Sequence, residues 1–287
     1  MAGFFELMFK SNKWYVTGDT HGSFGRFYNL PLKEREDSEI RIIILGDAGW
    51  NFFLNKSDYN RKKEFHENCK FTVYCVRGNH EARPQSIPGM VLEYDEEVQG
   101  EVYYEPSFPR IRYFKDFGAY KIDGYDILVL GGAYSVDKGY RLARAGYLNE
   151  EDNNPKRSGW WADEQLSAEE MAAAEEIASG KNWKFVLSHT CPYSWEPRDL
   201  FMSTIDQDAV DDTMERWMDK LRQTISWDIW LFGHFHQDRL IRPHVEMLAS
   251  DIEPLDRIVK RWKYYDTTNE LDTWWYNKDP NFYLEDN

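Results

Sequence analysis

The chain is poor in cysteine, in positive charge and in long apolar runs, and each shortage closes off a class of protein. Its 287 residues include three cysteines, Cys69, Cys75 and Cys191, scattered and odd in number. They form no C-x-x-C pair, so buried thiols in a reducing compartment are expected rather than a disulfide framework or a thiolate zinc site. No stretch approaches the roughly 20 apolar residues needed to cross a bilayer. The opening Met1–Glu6 is too short, and too soon followed by Lys10 and Lys13, to read as a signal peptide. The expectation is a soluble, cytoplasmic protein with no membrane partner. Lys and Arg number 35 against 50 Asp and Glu, a formal net charge of -15. That field repels polyanions, so non-specific nucleic-acid binding is not expected. A pocket that carries cations would still accept a phosphate, because bound ions outweigh the global charge nearby. Internal repeats and low-complexity tracts are also missing, and composition leaves the oligomeric state open.

What is present is a hydrophobic content of 42%, rich in aromatics, and a repeated local pattern. Short β-branched and aromatic runs end in Gly or Ser followed by a polar residue. Lys13–Thr17 leads into Gly18-Asp19, Arg41–Leu45 into Gly46-Asp47, and Phe71–Val76 through Arg77 into Gly78-Asn79-His80. Lys184–Leu187 leads into Ser188-His189, Asp228–Phe232 into Gly233-His234, and Asp126–Leu130 into Gly131-Gly132. Such continuous apolar runs predict strands buried on both faces. Helices are predicted over Phe24–Leu30, about Tyr59–Asn68 and about Asp208–Gln223, which gives strand–helix alternation. Ser167-x-x-Glu170 reads as a capping box opening an Ala-rich helix that stops at Gly180. Residues 81–120, with Pro84, Pro88, Pro106 and Pro109, are predicted to be loop-rich, and 133–163 is a polar excursion ending in Trp160-Trp161. We assign residues 1–247 to a catalytic domain carrying these two excursions. Residues 248–287 form an aromatic-rich extension, with Trp262, Trp274 and Trp275, expected to pack back on the domain.

The chemistry-bearing residues gather in the polar ends of the runs. Asp19 and His21 form D-x-H, Asp47 follows Gly46, Asn79 and His80 lie in G-N-H-E, His189 ends a run alone, and His234 and His236 form G-H-x-H. Of seven histidines, only His66 and His244 fall outside these motifs, and we read both as ordinary. Carboxylate, amide oxygen and neutral imidazole together suit borderline divalent metals such as Mn, Fe, Zn or Ni. Two such ions about 3.5–4 Å apart clamp the attacking and leaving oxygens of a phosphoryl transfer. The neighbouring glycines permit close backbone approach. In open α/β sheets, ligands bind beyond the carboxyl ends of strands, where all these motifs fall.

The ordered set resembles the calcineurin-like metallophosphoesterases, whose pattern is D-x-H, G-D, G-N-H-[ED], a lone His and G-H-x-H, each at a strand end. All five blocks are present in order from about Val16 to His236. The resemblance implies a four-layer α/β/β/α sandwich built on two mixed β-sheets. It implies Asp19, His21 and His236 on one divalent metal, Asn79, His189 and His234 on the other, and Asp47 bridging. Manganese is the first choice of metal. The activity implied is phosphoester hydrolysis by an activated water, with His80 steadying or protonating the leaving oxygen. Ser188–Pro192 and Gly131–Ser135 look like members found in Gram-positive bacteria and their phages. Gly78–Arg83, Ile127–Ser135 and the S-H-x-x-P block are also similar to RNA lariat debranching enzymes. Protein phosphatases of this superfamily carry G-D-x-x-D-R-G, whereas this chain has Trp50 in place of the second Asp and no arginine after it.

Substrate contacts are expected from Arg77 and Arg83, which flank the Asn79-His80 loop, and from Tyr134 and Arg141 in the second excursion. Cys191 reads as a packed thiol and Trp160-Trp161 as core. Two other functions compete with generic phosphoester hydrolysis: a specific nucleic-acid phosphodiesterase of the debranching or nuclease type, and a non-catalytic scaffold with a vestigial metal site. The retained ligands and His80 argue for an enzyme. The acidic charge argues against the nucleic-acid substrate.

Overall fold

The computed structural model describes residues 14–30 and 36–269. The first sheet takes β1 (Trp14–Thr17), β2 (Arg41–Leu45), β3 (Thr72–Val76), β4 (Val91–Asp95), β5 (Gly100–Tyr104) and β6 (Ile111–Phe114). The second takes β7 (Phe117–Ile122), β8 (Tyr125–Leu130), β9 (Asn182–Ser188), β10 (Ser226–Phe232), β11 (Arg239–Arg242) and β12 (Val245–Met247). The short β13 (Glu253–Pro254) returns to the edge of the first sheet, antiparallel to β1. Strand order is β13-β1-β2-β3-β6-β5-β4 in one sheet and β11-β12-β10-β9-β8-β7 in the other. The β1-β2-β3-β6 block is parallel, as is the β8-β9-β10-β12 block. Antiparallel strands lie at the margins, so both sheets are mixed.

The apolar runs divide between two faces with the period of a strand. In β2, Ile43 and Leu45 face inward with Val16 and Val76, and meet Ile127, Val129, Phe185, Leu187, Ile229 and Leu231 of the other sheet. Ile42 and Ile44 face outward onto Phe24, Phe27, Trp50 and Phe65. These aromatics come from α1 (Gly25–Tyr28), α2 (Lys56–Asn68) and the segments beside them. On the second sheet, Leu128, Leu130, Val186, Trp230 and Phe232 pack against Met171, Ala174, Met214, Trp217 and Leu221. That outer layer consists of α5 (Ala168–Ala178) and α6 (Thr213–Thr224), while α3 (Lys138–Ala145) and α4 (Pro155–Ser158) belong to the second excursion. Three apolar layers therefore separate four structural ones, the α/β/β/α sandwich expected.

The capping box is formed at α5, with Ser167 and Glu170 each satisfying the other's backbone N–H. Residues 81–120 differ from expectation: they hold β4, β5, β6 and most of β7. The prolines sit in the connections, and β4, at the sheet edge, alternates nothing, being exposed over Val91–Tyr94. Its sequence therefore carries no burial signal. Beyond Leu248, α7 (Leu255–Thr268) buries Leu255, Ile258 and Trp262 in the central core. Glu246 receives the Trp262 indole N–H at 2.6 Å and the Arg261 guanidinium at 2.6 Å. Trp274 and Trp275 lie outside the described residues. Among the described residues, no helix is long and apolar enough to cross a membrane.

Candidate metal centre

Five strands, β1, β2, β3, β9 and β10, end on the same edge of the sandwich and deliver the motif residues to one place. The local backbone is unusual there. His21, Asp47, His234 and His236 have φ of 46°, 46°, 70° and 58°. Left-handed conformations of non-glycine residues cost energy and persist where surrounding contacts enforce them, typically at functional sites. Two glycines show why no larger residue could stand beside them. A Cβ on Gly46 would lie 2.0 Å from His189 Nδ1, and one on Gly78 would lie 2.0 Å from Asp47 Oδ1.

Asp47 is almost wholly buried. Its Oδ1 accepts the His80 backbone N–H at 2.9 Å. Its Oδ2 lies 3.5 Å from His189 Nε2, 3.8 Å from His80 Nε2 and 3.9 Å from His21 Nε2. Asp19 Oδ1 accepts the His234 backbone N–H at 2.8 Å. Its Oδ2 is buried without a hydrogen bond, 3.4 Å from His236 Nε2 and 3.6 Å from His21 Nε2. The His21 and His236 Nε2 atoms are 2.8 Å apart. Two groups of potential ligands share Asp19: Asp19, His21 and His236, and Asp19, Asp47 and His189.

His189 is fully buried and its Nδ1–H donates to the Leu45 carbonyl at 2.8 Å, which aims Nε2 inward. That atom meets Asn79 Oδ1 at 2.9 Å. Two lone-pair donors facing each other at this distance require a proton or a cation between or beside them. Donor atoms around an ion at about 2.0–2.2 Å stand roughly 3 Å apart, so this spacing fits a divalent metal. Burial resists charging His189, yet Asp47 and Asp19 raise its pKa to about 9. Both carboxyls are held below their ordinary range: burial opposes this, but the surrounding imidazoles outweigh it. Burial and the charge of His189 push His234 down to about 3. Burial likewise lowers His80 to about 4 against the pull of Asp47.

His80 stands beside the cluster. Its Nε2 receives Nη2 of Arg141 at 3.1 Å, and Arg141 is held in turn by Asp137 Oδ2 at 2.7 Å. The Arg141 guanidinium also lies over the Phe52 ring, 5.1 Å from its centroid. Arg141 from the second excursion is thus a hydrogen-bond partner of His80 Nε2. Tyr134 lines the cleft in front of the cluster, together with Asp47, Asn79, His80, His234 and His236.

Arg77 and Arg83 go elsewhere, and the expectation that they grip phosphate is corrected. Arg77 is buried, with Nε on Asp116 at 2.7 Å and Nη1 on the Gly78 and Glu164 carbonyls. Arg83 pairs with Asp116 and Glu170 and donates to the Asp163 and Gln165 carbonyls. Both clamp the second excursion onto the domain, and neither lines the cleft. Trp50 is core, stacked on Phe24 at 4.5 Å between centroids. Glu81 accepts the Gly49 and Trp50 backbone N–H groups, and burial raises its pKa to about 7.

Two residues that motif reading missed stand behind a candidate ligand, Ser135 in contact with Asn79 and Glu164 in contact with Ser135. Ser135 Oγ receives Asn79 Nδ2 at 2.8 Å and donates to Glu164 Oε2 at 2.6 Å. They are 29 positions apart in sequence; no spacing rule links them, and only the fold brings them to Asn79.

The cleft has a volume of about 910 Å³ and runs from the cluster to a wall of Leu200, Phe201, Met202, Ile205 and Phe235. Phe201 and Phe235 are stacked 6.3 Å apart. Asp212 and Glu215 line another side, with Arg216 over the Tyr193 ring at 4.0 Å.

The sequence model of the calcineurin-like phosphoesterases matches residues 13–238. Among curated proteins, none matches the chain. Solved structures with a similar course include a phosphopantetheinyl hydrolase from Mycobacterium tuberculosis, 12% identical, with a TM-score of 0.38 over 90% of this chain and 93% of that one. A sulfate thiohydrolase from Thermus thermophilus, 16% identical, has a TM-score of 0.32 over 74% of this chain and 34% of its own.

Proposed function

Since this chain belongs to the calcineurin-like phosphoesterase family, a family of metal-dependent phosphoester hydrolases, we propose that it cleaves a small phosphoester at a dinuclear metal centre. The observation that carries this reading is the convergence of two buried carboxylates, one amide oxygen and four imidazoles from five strand ends. The orphaned Asp19 Oδ2 and the facing Asn79 and His189 atoms fit a cationic occupant. Asp19, His21 and His236 would hold one ion, and Asn79, His189 and His234 the other. Asp47, with His21 on one side and His189 on the other, would bridge them. Manganese suits this mixed oxygen and nitrogen set. Bound divalent ions supply Lewis acidity and an activated water.

The chain's own residues do the rest. Arg141, held against His80 Nε2, binds a phosphoryl oxygen, and His80 assists the leaving oxygen from beside the ligands. The apolar wall receives the organic part of the ester and excludes water around it. Acidic groups in the cleft and the net charge of -15 disfavour a polyanionic substrate, which sets a small ester ahead of a nucleic acid. A vestigial scaffold is disfavoured because the sequence retains all seven candidate ligands and His80.

The test is a panel of phosphomonoesters and phosphodiesters run with Mn, Fe, Zn, Ni and Mg, with metal content measured on the same samples. Asp47→Asn is expected to lose metal and turnover together, since one charge faces both ions. A variant that keeps two metals and a near-parental rate removes the bridging assignment. A parent protein that binds no metal and cleaves nothing restores the scaffold.

A further inference from the structure

The hydrogen bonds behind Asn79 have a fixed direction. Glu164 is 3% exposed, and Ser135 and Asn79 are each 1% exposed, so none of the three is served by bulk water. Burial raises the Glu164 pKa to about 7, so above that pH its side chain is a carboxylate and only accepts. Its Oε1 takes the Ser135 backbone N–H at 2.9 Å and its Oε2 takes the Ser135 hydroxyl at 2.6 Å. With its proton committed to Glu164, Ser135 Oγ faces Asn79 as an acceptor only. It therefore receives Nδ2 at 2.8 Å, and Oδ1 is left pointing at His189 Nε2, 2.9 Å away. An asparagine amide has two nearly identical ends, and only the oxygen end ligates a metal.

We propose that Glu164, acting through Ser135, is a positioning residue that sets which end of the Asn79 amide faces the metal centre. This rests on the metal-centre reading given above. Glu164 itself is held in place from behind, because its carbonyl accepts Arg77 Nη1 at 2.9 Å and Arg77 also donates to the Gly78 carbonyl. One guanidinium thus ties the far end of the second excursion to the residue preceding Asn79. The excursion, 133–163, begins in Ser135's loop and leads directly into Glu164, so its two ends meet behind one candidate ligand. Partners behind a metal ligand commonly change affinity by about 10–100-fold when removed.

The isosteric change Glu164→Gln separates orientation from packing. A glutamine has one acceptor oxygen for two Ser135 donors. If its amide donates to Ser135 Oγ, the hydroxyl must turn toward Asn79, which then presents its oxygen to Ser135 and its nitrogen to the metal. The experiment is calorimetric titration of metal-free parent, Glu164→Gln and Ser135→Ala with Mn²⁺, alongside thermal unfolding of the metal-free proteins. The expected result is one of two Mn²⁺ sites weakened about 10–100-fold in both variants, with metal-free unfolding of Glu164→Gln close to the parent. The double variant is expected to lose no more than either single one. Parental affinity at both sites in Glu164→Gln and Ser135→Ala overturns the proposal. The parent's own uptake reports separately on the metal-centre reading: a parent that binds no Mn²⁺ overturns that reading, and this proposal with it.

Discussion

Arg141 donates to His80 across 61 positions of sequence, Nη2 to Nε2 at 3.1 Å. The contact brings a cation from the second excursion to His80, the residue proposed to assist the leaving group. Asp137 braces the arginine at 2.7 Å and the Phe52 ring carries its flat face. A guanidinium so held is pre-organised for an anionic oxygen. Arg141→Ala is expected to lower kcat/KM about 10–100-fold, corresponding to a charge-assisted hydrogen bond of about 1.5–3 kcal/mol. Metal content is expected to be unchanged. Parental kinetics in this variant would remove Arg141 from the substrate.

His80→Ala tests the neighbouring role. Only its backbone N–H touches Asp47 within hydrogen-bond distance, at 2.9 Å, and alanine keeps that bond. Both metals are therefore expected to stay while turnover falls by about 10²–10⁴-fold, the usual worth of general acid–base help. Elemental analysis and steady-state kinetics on one preparation decide it. Loss of a metal would make His80 a ligand.

The residues of the candidate site could be picked out in the sequence because such chemistry needs particular residue types at strand ends, beside glycines that clear space for them. Gly46 and Gly78 show the spatial reason, with His189 and Asp47 occupying the room a Cβ would take. The sandwich was legible for a similar reason: runs such as Ile42–Leu45 are buried on both faces. What stayed hidden was direction and distance. Arg77 is a cation next to a phosphate-type motif whether it points into the cleft or into the protein. Its side chain turned inward to Asp116, a residue 39 positions away. Glu164 and Ser135 carry no spacing signature, since their partnership with Asn79 is made by the fold. The β4 strand escaped because an exposed edge mixes charged and aromatic residues without period.

Glu215 is expected to make stability fall as pH rises. It lies on α6, almost wholly buried, with Oε2 lacking a hydrogen bond, and burial raises its pKa from 4.5 to about 8. Between pH 4.5 and 8 the folded protein holds this proton and the unfolded chain does not. Its contribution is therefore fully present below about pH 4.5 and is lost as pH rises toward 8. Glu215→Gln mimics the protonated form, so its melting temperature is expected to exceed the parent's at pH 8 and to converge on it near pH 4.5. Equal melting temperatures at pH 8 would show that Glu215 is ionised in the folded state at no cost.

The wall of the cleft is expected to decide what kind of ester is accepted. Phe201 and Phe235 stack at 6.3 Å with an interplanar angle of 14°, and Leu200, Met202 and Ile205 extend the same surface. Phe235 sits between His234 and His236, so substituting it would disturb the centre itself. Phe201 is outside the ligand loops and isolates the effect of the wall. Phosphonates that cannot be cleaved report binding without the reactivity of a leaving group. Benzylphosphonate is expected to inhibit more strongly than methylphosphonate, because only the former buries a ring. An aromatic pair is worth about 0.5–1.5 kcal/mol beyond the area it buries, so Phe201→Ala is expected to weaken benzylphosphonate about three- to tenfold. Methylphosphonate, which reaches only the metal centre, is expected to bind the variant as it binds the parent. An equal loss for both compounds would mean that the substitution disturbed the centre, and no loss for either would show that the organic group leaves the cleft by another side.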